Sequence, residues 1–448
     1  MSQALASRVL ALMAPAQRGA VVMVVGEGSE SIAHELRDAG CAAHAVPAML
    51  DAVSGLDAQC TAHADLTPSL LVLGHRDTPD GALSWSSRLA AHGARLGWVV
   101  TPLHDAVFFM SSATAPALRM RWIGVAEGAV MRELFRSLFG HEMDLDHWRW
   151  KYESGGGSGL GLWMNGELVA HYGGMTRAVR AFGQPMLACQ VCDVMVSAKG
   201  RATLARNGPL VRLTSTFLEH QIGHGLPHAI GFGFPSERAF GVAQRLGLYV
   251  AVDEIVMLQW PAEGRARQSD RLVRVAPLML CALQEGSHDW RRIERLWQAM
   301  ARSFSTSVLG ERTPQWLRRR YGQRPGVIYE ALVASSLLTG QWRGMVVMRT
   351  HDTYLEIVDL IAVPAQFGTL IHLARRHAAL KGLQTVQAWI TASHQGLLGA
   401  KDGEGDAATG CEVHKIGIQV PANVHTAGPD PARLVGKWFL MSGDSDFR

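Results

Sequence analysis

The chain repeats itself, and the length of the repeat limits the folds open to it. WRRIERLWQAMARSF (290–304) parallels GAVMRELFRSLFG (128–140), and TPQWLRRRY (313–321) parallels DHWRWKY (146–152). YLEIVDLIAVP (354–364) parallels CQVCDVMVSA (189–198), with Asp359 where Asp193 stood. A period of roughly 165 residues is too long for a solenoid and describes a duplicated domain. At 448 residues the chain also exceeds what one core serves. The boundaries read as 1–115, 116–262 and 263–448, with the polar stretch PAEGRARQSDR linking the two copies.

Before the repeat, AVVMVV (20–25), TPSLLVLG (67–74) and GWVVTP (97–102) have the composition of buried strands, with helical spacing between them. Such alternation predicts a small parallel, Rossmann-like α/β domain. Its GEGSES turn keeps only Gly26 and Gly28 of the usual nucleotide-binding glycines and reads as a structural turn. From about residue 117 the rhythm changes. A strand and helix lead to the aromatic loop DLDHWRWKYE, then to a hairpin turning at Asn165-Gly166. A long strand, PMLACQVCDVMVSA, is followed by a basic loop, a helix (VRLTSTFLEHQ), a strand, a helix, and a last strand, LYVAVDEIVMLQW. The expected class is α/β and α+β: a parallel α/β domain followed by two mixed-sheet domains.

Charge and cysteine usage narrow the function classes. The net charge of +4 is dispersed, with one compact run at Arg318 to Arg320. It suits a small anionic ligand and argues weakly for nucleic acid. The six cysteines are too sparse for a disulfide framework and point to a reducing, cytoplasmic setting. No apolar run reaches the roughly 18 residues of a membrane span. MSQALASRVLALM reads as a helix of the folded protein, not a signal sequence.

The stretch VCDVMVSAKGRATLARNGPL (191–210) runs from a strand through a basic, glycine-containing loop into a helix. The first amides of such a helix lack intrahelical partners, and the dipole favours an anion there. Lys199, Arg201 and Arg206 add charge, and Gly200 and Gly208 permit close backbone approach. A pyrophosphate fits this better than a carboxylate does.

With HWRWKY, the hairpin ending in AHYGG, DVMVSAKGR and GFGFPSERAFGVAQRLGLY, residues 117–261 resemble the GNAT superfamily of acyl-CoA-dependent N-acyltransferases. The likeness is greatest to large bacterial members linked to polysaccharide biosynthesis, and 285–442 resembles a second, degenerate copy. The resemblance implies acetyl-CoA or another acyl-CoA as co-substrate, no metal, and a small-molecule amine acceptor such as an amino sugar or sugar nucleotide. It places the pyrophosphate on the loop before the helix, at Arg206, Asn207 and Gly208, or secondarily at Lys199 to Arg201. The chain departs from the family pattern here: AKGRATLARNGPL contains no clean R-x-x-G-x-G. The second copy, with one glycine and no charge before its helix, is expected not to bind CoA.

In the family a backbone amide of the long strand polarises the thioester carbonyl, here within Val194, Met195 and Val196. Asp193, Glu237, Glu153 and His171 are candidate bases. Three of the four have a structural alternative: Asp193 facing a neighbouring strand, Glu237 on a helix dipole, His171 satisfied inside a sheet. The phenol that protonates the leaving thiolate is replaced by Ala243, which leaves Tyr249 or Tyr172 to substitute. Trp148, Arg149, Trp150, Lys151 and Tyr172 are candidate acceptor-binding residues, or an aromatic anchor closing the domain.

Other signals dissolve on inspection. Cys189 and Cys192 lie three apart on a strand and face opposite ways, so they cannot share a metal. Gly225 and Pro227 break the helix that would align His220, His224 and His228. The sequence therefore predicts a GNAT-type N-acyltransferase whose first copy is active. The alternatives are an inactive binding or scaffold protein, and an acyltransferase using a long-chain or carrier-bound donor.

Overall fold

The computed structural model describes residues 2–12, 21–26, 28–46, 69–73, 85–95, 98–104, 107–111, 118–201, 209–264, 272–400 and 410–446. The first sheet contains β1 (Val22–Val25), β2 (Ala43–Val46), β3 (Ser69–Val72), β4 (Val99–His104) and β5 (Val107–Ser111) in the order β2-β1-β3-β5-β4. VMVV is buried along its whole length because β1 is central, with parallel neighbours on both sides. β4 and β5 form an antiparallel hairpin beyond β3, so the sheet is mixed where the sequence suggested parallel strands throughout. Helices α1 (Ser2–Leu12) and α2 (Ser29–Asp38) cover one face.

The other face carries α3 (Trp85–Arg95) and docks on the first repeat. Trp98 and Met110 share an apolar cluster with Leu213 and Phe217. Arg95 pairs with Glu219 and donates to Thr216 Oγ1 at 2.8 Å.

In the first repeat, α4 (Gly128–Phe139) buries Met131 and Leu134 and ends at Gly140, whose φ of 72° supplies the left-handed cap. α5 (Leu145–Trp148) follows, capped by Asp144, which accepts from His147 N. Residues Arg149–Glu153, with Trp150 and Tyr152 among them, then widen into a single π-helical turn. β6 (Leu118–Trp122), β7 (Gly157–Met164), β8 (Glu167–Ala181) and β9 (Gln184–Val196) form an antiparallel series, and β7 turns into β8 at Asn165-Gly166 as expected. α6 (Pro209–Gln221) leads to β10 (Ile230–Phe232), which pairs in parallel with β9, and α7 (Glu237–Arg245) follows.

The second repeat follows the same plan. After β12 (Val273–Leu278), α8 (His288–Ser303) is capped by Ser287 and buries Ile293, Leu296, Trp297 and Met300, one stripe at helical spacing. β13 (Val308–Gly310) precedes α9 (Pro314–Leu317), which is capped by Thr313 and runs into a π-helical turn at Arg318–Gly322. β14 (Glu330–Ser336), β15 (Trp342–Thr350), β16 (Tyr354–Ala362), α10 (Phe367–Leu380), β17 (Thr385–Thr391), β18 (Glu412–Asn423) and β19 (Trp438–Phe439) complete it.

The repeats exchange strands. β11 (Tyr249–Pro261), read from sequence as the last strand of the first copy, lies between β17 and β18 and is antiparallel to both. In return, β13 and β19 extend the first repeat's sheet beyond the end of β8. The boundary expected at 262 thus falls after a strand that pairs wholly within the second sheet. Among the described residues, no helix is long and apolar enough to cross a membrane.

Candidate functional site

β10 meets β9 only over three residues, Ile230 to Phe232 against Ala188 to Gln190. β9 runs on to Val196, while the other chain turns away: Pro235 O accepts from Gln419 N at 3.0 Å and Ser236 bridges Ile418. The two strands therefore part and leave a V-shaped opening. On its β9 side, Asp193 has a φ of 47° and marks a bulge opposite Tyr172 in the β8–β9 register. The bulge turns Val194 outward, to 41% exposure, whereas Met195 is buried.

The second repeat has the same opening, and the chain itself fills it. β16 and β17 pair from Tyr354 to Ile357 and then part. Into the gap comes the 438–446 segment: Thr391 N donates to Leu440 O at 3.1 Å, and Met441 bridges Ile390. Phe439, Leu440 and Met441 are fully buried. A Cβ at Gly443 would lie 2.9 Å from Val358 O, so backbone here packs on backbone.

Behind the first opening lies a buried ionic network. Lys151 Nζ is 2.7 Å from Asp193 Oδ2 and 2.7 Å from Asp446 Oδ2. Tyr152 donates to Asp193 Oδ2 at 2.5 Å. Burial alone would lower the Lys151 ammonium's pKa, but the two carboxylates hold it above its ordinary value. Burial likewise favours the neutral acid at Asp193, and Lys151 outweighs it, keeping the carboxyl below its usual range. Burial, reinforced by Asp193, pushes the Tyr152 phenol well up, and burial raises the Cys192 thiol. Cys192, Asp193 and Asp446 come close enough to suggest a metal site, but Lys151 Nζ already sits between the two carboxylates as their cation.

The sequence-derived candidates fall into distinct environments. Asp193 is locked in this network, and His171 is buried with Nδ1 2.7 Å from Asp193 O, its pKa lowered by burial. Glu237 is exposed at the first residue of α7. Tyr172 and Tyr249 are buried with their hydroxyls bonded to each other, and burial raises both phenols. Trp148 packs against Tyr152 within the core, and Arg149 lies outside beside Asp146 and Glu153. Trp150 Nε1 donates to Arg319 O of the second repeat at 3.2 Å, and Trp150 also lines a cavity between the repeats. Lys199 pairs with Glu167 on the surface. Arg206, Asn207 and Gly208 lie outside the described residues, as does the Arg201 side chain. His220, His224 and His228 do not converge: His220 Nδ1 bonds Thr216 O, His228 Nδ1 bonds Gln221 O, and His224 is exposed.

Sequence reasoning missed the part played by the 438–446 segment. Its run WFLM, apolar and followed by SGDSD, is the signal that was available.

The antiparallel series, the bulged long strand, its helix and the parting parallel strand together define the fold of the GCN5-related N-acetyltransferase superfamily. Solved structures share it. One is a conserved protein of unknown function from Enterococcus faecalis V583, described as a probable N-acyltransferase. It is 14% identical over 69% of this chain and 72% of its own, with a TM-score of 0.52. Another is a GCN5-related N-acetyltransferase from Anabaena variabilis ATCC 29413, 10% identical over 68% of this chain and 72% of its own, with a TM-score of 0.50. No protein-family model and no curated protein matches the sequence.

Proposed function

We propose that the first repeat transfers an acyl group from an acyl-CoA to the amine of a small molecule, and that the second repeat stabilises it without binding CoA. The observation that carries this reading is the contrast between two equivalent openings, one with its bulged strand exposed at Val194 and the other filled by residues 438–446. Strand amides alternate edges, and Ser197 N already reaches Val169 O at 2.8 Å. The N–H of Val196 therefore points to the opposite edge, toward the opening, where it supports the expected polarisation of a thioester carbonyl.

In this reading Asp193, Lys151 and Tyr152 are positioning residues that hold the bulge. Tyr249 and Tyr172 stay protonated at neutral pH, the state required of an acid for the departing thiolate. The pyrophosphate is assigned to Arg206, Asn207 and Gly208 ahead of α6, with Lys199 and Arg201 second. The domain division at 115 and 262 is kept as the functional one, with acetyl-CoA as the first donor and amino sugars or sugar nucleotides as the first acceptors to test.

Titration calorimetry with acetyl-CoA tests the reading directly. Binding in the wild type that Arg206→Ala/Gly208→Val abolishes would support it. No binding of acetyl-CoA or of longer acyl-CoAs would reject it.

A further inference from the structure

Two aspartates of the 438–446 segment reach the two repeats in the same way. In the second repeat, Arg312 joins the strand residue Asp359, at 3.0 Å, to Asp444, at 2.6 Å. In the first, Lys151 joins the strand residue Asp193 to Asp446, 2.7 Å from each. Asp193 and Asp359 are equivalent positions, and each also accepts a hydrogen bond from the tyrosine of its repeat's π-helical turn. The two bridging cations are not equivalent: Lys151 lies within its π-helical turn, whereas Arg312 precedes α9. The counterpart of Lys151 is Arg320, which donates to Gly443 O at 3.0 Å and to Ser445 O at 2.8 Å. Different cations thus tie both strand aspartates to one short piece of chain.

Asp193 needs such support. Its φ of 47° lies in the left-handed region that side chains disfavour, and such a conformation persists only where the surroundings hold it. The hold comes from three sides. His171 Nδ1 donates to Asp193 O at 2.7 Å, Tyr152 donates to the carboxylate, and Lys151 pairs with it. Lys151 is 2% exposed, and burial by itself would favour its neutral amine. A single carboxylate, shared with Tyr152, is a poor counterion for a charge so deeply buried. Asp446, whose side chain is 11% exposed, is the second.

We propose that Asp446 is a positioning residue for the first opening: acting through Lys151, it holds the Asp193 bulge in the shape that presents Val194 to Val196 to a thioester. The segment that fills one opening is then part of the other. The catalytic half of this role rests on acyl transfer by the first repeat; the hold on the bulge does not.

Hydrogen–deuterium exchange on the full chain without ligand tests the hold. In Asp446→Asn, exchange across 192–196 should rise about tenfold, the loss of one hydrogen bond to a charged group. Exchange across 357–362, the corresponding stretch of the second repeat, should stay as in the wild type. Asp446→Glu keeps the carboxylate and should restore protection. Asp446→Ser serves if the asparagine variant fails to fold. Unchanged exchange at 192–196, an equal rise at both stretches, or a glutamate variant that exchanges as fast as the asparagine one would overturn the proposal.

Infrared difference spectra of bound acetyl-CoA, isotope-labelled at its thioester carbonyl, test the catalytic half. The wild-type band should lie below that of the free thioester, and Asp446→Asn should lose most of that displacement while still binding acetyl-CoA. A merely structural Asp446 would leave the band of each bound molecule where it was, and that result would overturn the positioning role. No acyl-CoA binding by the wild type would reject acyl transfer, and the exchange result would still decide whether Asp446 holds the bulge.

Discussion

Trp150 and Arg319 stand 169 residues apart and exchange two hydrogen bonds, Trp150 Nε1 donating to Arg319 O at 3.2 Å and Arg319 Nη2 to Trp150 O at 2.8 Å. Each is the second residue of its repeat's π-helical turn, so equivalent positions meet face to face, as across the axis of a two-fold dimer. Trp150→Ala should cost about 3–5 kcal/mol in urea denaturation. Trp150→Phe, which keeps a ring and loses the donor, should cost about 1 kcal/mol. Equal costs for the two would show that the ring contributes nothing.

Removing Lys151 leaves two buried carboxylates facing each other. Lys151→Met should destabilise by about 3–5 kcal/mol. Adding Asp193→Asn should cost less than the single effects combined, because the second change removes one of the stranded charges. A double-mutant cycle in urea measures the coupling, and strict additivity would contradict the ion pair.

The filled second opening sets a stoichiometry. Calorimetric titration with acetyl-CoA should give one site per chain. Two sites of similar affinity would mean that the 438–446 segment yields to ligand.

Acidification should loosen the first domain. His92 on α3 is fully buried and pushed down to about 3, chiefly by burial and then by His220 and Arg95. The unfolded imidazole titrates near 6.5, so above that pH both states are neutral and nothing changes. Below it the unfolded chain takes up a proton that the folded chain refuses, and stability falls toward pH 3. The loss should reach about 2 kcal/mol by pH 5. His92→Leu should flatten that limb in melts at pH 7 and pH 5; an unchanged slope would place the acid sensitivity elsewhere.

Local pattern carried the sequence reading a long way. The Asn165-Gly166 turn and the helical stripe of WRRIERLWQAMARSF state short-range rules, the equivalence of Asp193 and Asp359 states the repeat, and the structure follows all three. In the structure Tyr152 donates to Asp193 and Tyr321 to Asp359, so the repeat extends to side-chain contacts. Partner choice was not legible. LYVAVDEIVMLQW reads correctly as a strand, but nothing in a strand's own residues says which of two similar sheets will take it. HWRWKY left two readings open for a related reason: aromatic and cationic residues suit an acceptor pocket and a domain contact equally, and the partner in the contact, RRRY, lies far along the chain.

The exchange of β11 has a consequence for how such a chain can vary. A fragment ending at 262 would carry a strand whose hydrogen-bonding neighbours had both been cut away, and a fragment starting there would have a sheet missing a member from its interior. The two copies are thus an indivisible heirloom. Neither can be shed, shuffled or borrowed by another gene without leaving part of itself behind in the other.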